Sequence, residues 1–276
     1  MNCQRRLALL SCVLLPAWLP AGSARAQLPD TVERVKPAVV LVGTYSATDN
    51  PRFRYVGAGF VVGDGLRVVT SAHVVTRMDS SVTPSGPMPG STSGPAASPN
   101  EQALVVQVRS GGNAWLMRKA RVLELNPLQD LALLHIEGPP VAALKVAASD
   151  PVREGQELAL MGFPIGGLLG FSSVTHRAGV ASITTIALPS PTSQQLSERA
   201  IVSLRAGPVQ VFQLDATAYP GNSGGPLFDP RSGEVLGVIS MVHIKTTREA
   251  ALSQPSGITY AIPSRYVLEM LARHAP

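Results

Sequence analysis

Twelve short apolar runs, many of them rich in valine and set apart by Gly, Pro, Asn and Asp, limit what this 276-residue chain can become. They fall at 38–45, 56–62, 66–71, 103–109, 115–125, 131–136, 157–163, 178–186, 209–214, 225–228, 235–242 and 257–262. Branched side chains pack well on a pleated surface, and turn residues between such runs mark strand ends. Repeated short strands of this kind predict an all-β barrel or sandwich rather than βαβ units. Two helices are predicted. One covers 30–36, with Asp30 or Thr31 as cap and Pro37 as its stop. The other covers 264–274, capped by Ser264, with Val267, Leu268 and Leu271 on one face.

The first 26 residues are not part of that pattern. Arg5-Arg6, an apolar run from Leu7 to Leu19 and the small-residue end Ala24-Arg25-Ala26 make a signal peptide, with the mature chain starting at Gln27. The expected location is periplasmic or secreted. Cys3 and Cys12 both leave with the signal, so the domain must rely on its apolar core rather than on disulfides. Three arginines leave too, so Lys+Arg drops from 23 to 20 against 18 acids. A net charge of about +2 gives no argument for nucleic acid. No later stretch is apolar for long enough to cross a bilayer, so no stable membrane insertion is expected after cleavage. Residues 80–100, with five prolines among Ser, Thr and Gly, predict a mobile loop insertion. The prolines at 139, 140 and 151 predict a connection between two halves near 138–154.

One stretch carries chemistry. In Pro220-Gly221-Asn222-Ser223-Gly224-Gly225-Pro226 a serine sits among glycines, which allow backbone conformations closed to other residues. A nucleophilic serine needs that: a raised hydroxyl with neighbouring N–H groups aimed at one point. Taken alone, the stretch reads equally well as a turn. His73 follows the run Val68-Val69-Thr70-Ser71-Ala72, where a strand stops and a helical turn begins. Asp130 opens the apolar run Leu131-Ala132-Leu133-Leu134, where an acid can be buried against an imidazole.

In order His73, Asp130, Ser223, the chain resembles the chymotrypsin-like serine peptidases, most closely their HtrA/Deg-type branch. The matching motifs include Gly57-Ala58-Gly59-Phe60-Val61-Val62, Thr70-Ser71-Ala72-His73 and Gly257-Ile258-Thr259-Tyr260-Ala261-Ile262-Pro263. The resemblance implies two six-stranded antiparallel β-barrels, about 37–137 and 155–263, with a helix at 264–274 and the active site between the barrels. It implies a serine endopeptidase acting on protein or peptide substrates, with no cofactor or metal, and it is compatible with a homotrimer. Ser223 is then the nucleophile, His73 the base and Asp130 its orienting acid. An oxyanion hole at Gly221, Asn222 and Ser223 is implied, as is an S1 pocket with Thr217 at its base and Ile239 and Met241 in its wall. An apolar P1 residue follows from that pocket. Asn222 stands where many relatives have an Asp that pairs with a cut N-terminus, so that activation is not expected. With about 50 residues after Ser223, no PDZ domain is expected.

Gly221-x-Ser223-x-Gly225 also fits the nucleophile elbow of α/β-hydrolases, but that fold needs alternating helices, and an acid and a histidine after the serine. From another class, a non-catalytic or latent binding protein would keep the barrels without turnover.

Overall fold

The first six described strands close into one barrel and the last six into another. In this computed structural model the described residues are 28–79, 102–111, 114–164, 166, 170–186, 209–240 and 257–274. The first barrel comprises β1 (Val39–Tyr45), β2 (Phe53–Val62), β3 (Arg67–Thr70), β4 (Ala103–Arg109), β5 (Trp115–Asn126) and β6 (Leu131–Ile136), in the closed order β1-β2-β3-β6-β5-β4. The second comprises β7 (Glu157–Gly162), β8 (Val174–Ile186), β9 (Val209–Asp215), β10 (Pro226–Phe228), β11 (Val235–Ser240) and β12 (Ile258–Pro263), in the order β10-β11-β12-β9-β8-β7. Every pairing between these strands is antiparallel. Closure removes free strand edges.

Several runs are apolar throughout because both of their faces are buried. In β1, Val40 and Val42 pack with Val61, Val106 and Leu134, while Val39 and Leu41 turn to a separate, central cluster. In β7, Leu158 and Leu160 pack with Phe212 and Leu227, while Ala159 and Met161 join the central cluster. That cluster holds residues of both barrels, together with Val35 of α1 (Leu28–Val35) and Val267 and Met270 of α3 (Ser264–Arg273). One shared core therefore fixes the barrels against each other.

The connection between the barrels is pinned at both ends. Leu144 N–H donates to Val61 O at 2.8 Å and Ala147 N–H to Val235 O at 2.9 Å. Single parallel bridges, Val62 with Leu144 and Val146 with Val235, accompany these bonds.

Local readings differ at the helices. The first helix starts at Leu28, so neither Asp30 nor Thr31 caps it. Thr31 is buried instead and donates to the Arg231 carbonyl at 3.2 Å. Ser264 is the first residue of α3 and not its cap; its hydroxyl donates to the Ala147 carbonyl at 2.6 Å. β8 begins at Val174, earlier than its apolar run, because pairing carries the polar residues Thr175, His176 and Arg177 into register with β7. The 80–100 insertion lies outside the described residues. Among the described residues no helix is long and apolar enough to cross a membrane.

Candidate active site

β3 ends at Thr70 and α2 (Ala72–Asp79) starts two residues later, which puts His73 in the first turn of a helix at the barrel junction. Asp130 lies between β5 and β6, just after a turn in which Gln129 N–H donates to Asn126 Oδ1 at 3.1 Å. Its φ of 51° is left-handed, a region that Asp tolerates better than most residues. The two come together: His73 Nδ1 is 2.8 Å from Asp130 Oδ2 and 3.0 Å from Oδ1. The His73 backbone N–H donates to Oδ1 at 2.9 Å, and the Ser240 hydroxyl donates to Oδ2 at 2.6 Å.

Asp130 is 4% exposed, and burial by itself would raise its pKa. The hydrogen bond and charge of His73, the Ser240 hydroxyl and the His73 N–H outweigh that and hold it below the usual carboxylate range. A carboxylate so fixed can hold the imidazole with Nδ1 protonated, leaving Nε2 free to take a proton. Ser240 was not singled out from sequence. Its only signal is a hydroxyl closing a strand that is otherwise buried and apolar, and which therefore needs a partner.

Ser223 belongs to the opposite wall. Its carbonyl accepts from Ala58 N–H at 2.9 Å, and Gly224 N–H donates to the Ile239 carbonyl at 2.8 Å. Gly224 has φ 84°, and a Cβ there would lie 2.3 Å from Thr70 Oγ1 and 3.0 Å from the Ser71 nitrogen. The nucleophile candidate is thus docked against the segment that leads into His73, and only glycine allows the approach. Ser71 adds a tie across the cleft, donating to the Ile239 carbonyl at 3.0 Å. Among the described residues no hydrogen bond joins the Ser223 hydroxyl to His73; in such sites this bond commonly tightens only when substrate binds.

Of the three residues expected around the oxyanion, two keep open N–H groups. Among the described residues no acceptor takes the N–H of Gly221 or Ser223. Asn222 is a correction: its N–H donates to the Tyr219 carbonyl at 3.0 Å and so is not aimed at a ligand. Its side chain is fully buried, and neither amide atom has a partner among the described residues. An ionised Asp would meet the same surroundings without a counter-charge, which gives a physical reason for a neutral amide here.

Around the expected S1 pocket, Thr217 is half-buried, and its flanks are clamped by Thr259, whose hydroxyl donates to Ala216 O at 2.6 Å and accepts from Ala218 N–H at 3.1 Å. Ile239 is also a correction: it is wholly buried in the core cluster with Leu160 and Leu227, so it offers no open wall. Met241 lies outside the described residues. A groove of about 1030 Å³ bounded by Leu28, Arg153, Arg177 and Arg231 contains none of the candidate site residues. Among the described residues no group of three or more His, Cys, Asp or Glu is placed to hold a metal ion.

Two closed six-stranded barrels, with a His–Asp pair on one wall of their junction and a glycine-flanked serine on the other, define a trypsin-like peptidase architecture. Residues 57–238 match the trypsin-like peptidase domain, and the chain belongs to that family. It is 28% identical over 216 residues to a probable periplasmic serine endoprotease, DegP-like, of Marinomonas sp., a match covering 78% of this chain and 34% of that protein. It is 31% identical over 220 residues to the mitochondrial serine protease HTRA2 of Drosophila virilis, covering 79% and 39%. The chain thus spans little more than a third of the length of these curated relatives. Among solved structures, the HtrA-type protease AlgW with tripeptide superposes with a TM-score of 0.58 at 21% identity, covering 89% of this chain and 62% of that one. Deg5 superposes with 0.56 at 22% identity, covering 87% and 90%. At these identities the structural likeness concerns the fold.

Proposed function

We propose that this chain is an exported serine endopeptidase that hydrolyses peptide bonds of unfolded or exposed polypeptides through an acyl-enzyme on Ser223. The observation that carries the reading is the 2.8 Å contact between His73 Nδ1 and a buried Asp130 carboxylate, on the wall facing Ser223. Ser223 Oγ attacks the scissile carbonyl, His73 takes its proton and returns it to the leaving amine, and Asp130 stabilises the imidazolium between those steps. The N–H groups of Gly221 and Ser223 receive the oxyanion; losing one such donor costs about 3 kcal/mol of barrier. With no acid at Thr217 to pair with Lys or Arg, the preferred P1 side chain is aliphatic. Export is supported by the basic, apolar and small-residue order of residues 1–26, and a homotrimer is compatible with the HtrA likeness.

Cleavage of unfolded casein by residues 27–276, beside Ser223→Ala, tests the reading from pH 6 to 9. Activity in the first protein and at least a 10³-fold loss in the second is expected. Equal hydrolysis by both would remove Ser223 from the chemistry. A folded chain silent in both forms, and not labelled by a fluorophosphonate, is the binding-protein outcome.

A further inference from the structure

Tyr55 lies on β2, far in sequence from Ser223, yet its hydroxyl donates to the Gly221 carbonyl at 2.6 Å. Phe163 N–H approaches the same oxygen at 3.4 Å. The Tyr55 ring meets Phe163 and Phe171 edge-on, with centroids 6.3 and 5.7 Å away. Phe163 is backed in turn by Trp115 at 5.6 Å. Glycines make the room: a Cβ on Gly166 would come within 2.9 Å of the Tyr55 ring, and one on Gly221 within 3.3 Å. Burial pushes the phenol pKa up, so the hydroxyl keeps the proton it donates.

Gly221 needs such a hold. Its φ of 106° lies where glycine is at home, and its Cβ-free backbone also reaches other states at little cost. The Gly221–Asn222 peptide lies between the two peptide planes that carry the Gly221 and Ser223 N–H groups, so its rotation would change the aim of those two groups relative to each other. Three contacts oppose that rotation: the Tyr55 hydroxyl and the longer Phe163 N–H bond on the carbonyl, and the Asn222 N–H bond to Tyr219 on the other end of the same peptide.

We propose that Tyr55 is a positioning residue that holds the Gly221 peptide so that the N–H groups of Gly221 and Ser223 stay aimed at the oxyanion. This rests on the reading of Ser223 as nucleophile. Tyr55 touches neither the substrate nor the reacting atoms; it acts through the loop.

Tyr55→Phe, in the full chain, keeps the ring and removes only the hydroxyl. The kinetic arm compares kcat and KM on a peptide with an aliphatic P1. It adds inhibition by a peptide boronate, whose adduct places an oxygen in the hole, and by the corresponding peptide amide, which does not. Expected is a loss of about tenfold in kcat and in boronate affinity, about 1.4 kcal/mol each, with KM and amide binding within about twofold. A merely structural role would lower the melting temperature and weaken both ligands together, and that pattern overturns the proposal. So does a variant that matches wild type in every reading. The second arm needs no turnover: amide hydrogen exchange over 219–225 is expected to rise at least about threefold in Tyr55→Phe while 226–228 stays unchanged. Should wild type show no Ser223-dependent cleavage, the peptidase reading falls, and this arm alone decides: unchanged exchange sinks the role of Tyr55, and faster exchange confined to the loop upholds it.

Discussion

At the His73–Asp130 corner three donor groups converge on one buried carboxylate, whereas across the cleft both polar atoms of a fully buried Asn222 have no partner among the described residues. The first wall is built from a helix start and a strand start, and its hydrogen bonds are completed by Ser240, which reaches over from β11 of the second barrel. The second is a loop whose shape depends on left-handed glycines at 221 and 224. A buried charge persists only where donors have been assembled to meet it. The corner can therefore carry an ionised acid, and the loop takes a neutral amide and leaves the N–H groups of Gly221 and Ser223 with no acceptor among the described residues. Fixed charge and open donors are kept on separate barrels.

The largest expected effect attacks the complete side. Asp130→Asn keeps size, and Asn accepts the left-handed φ about as well as Asp. The charge goes, and an NH₂ can turn toward the imidazole, favouring the wrong tautomer. We expect a loss of about 10³- to 10⁴-fold in kcat with folding retained by circular dichroism. A loss under tenfold would mean that the corner positions His73 without electrostatic help, and the contrast between the two walls would lose its chemical meaning.

Asn222→Asp inverts the experiment by placing an acid where no donors wait. Burial raises such a carboxyl, so the folded chain keeps a proton that the unfolded chain releases above about pH 4. Stability then falls as pH rises, by up to about 1.4 kcal/mol per pH unit until the folded carboxyl ionises. Thermal melts should show the variant near wild type at pH 4 and several kcal/mol weaker by pH 8. Parallel curves would show that the loop supplies donors after all.

How much of this was legible in the chain follows the range of each interaction. The barrel strands were, because two-sided burial writes itself as continuous valine-rich runs with turn residues between them. His73 and Asp130 were visible through motifs that are local in sequence. Ser240 and Tyr55 were not, since their hydroxyls find partners 110 and 166 residues away and nothing beside them announces it. Ser264 shows the same limit in miniature: before an apolar helix a serine looks like a cap, but the Ala147 carbonyl claims its hydroxyl. Ile239 failed for a different reason. In a strand with both faces covered, alternation does not say which face meets the substrate.

Ser240 permits the finest division of the complete wall. Its hydroxyl is one of the groups that hold the Asp130 carboxyl low. A depressed folded pKa contributes stability above the unfolded carboxylate range and loses it as pH falls through the folded value. Ser240→Ala raises that folded value, so the variant should be about 1.5–3 kcal/mol less stable at pH 7, with the gap narrowing in acid. Activity should fall by about tenfold, far less than for Asp130→Asn, because both His73 bonds remain. Ser71 is the control, since its hydroxyl donates to the neutral Ile239 carbonyl in the same cleft. Ser71→Ala should cost about 1 kcal/mol with no pH dependence from pH 4 to 8. If the two serine variants show the same pH profile, the Ser240 bond serves packing alone, and Asp130 stays ionised on the strength of His73.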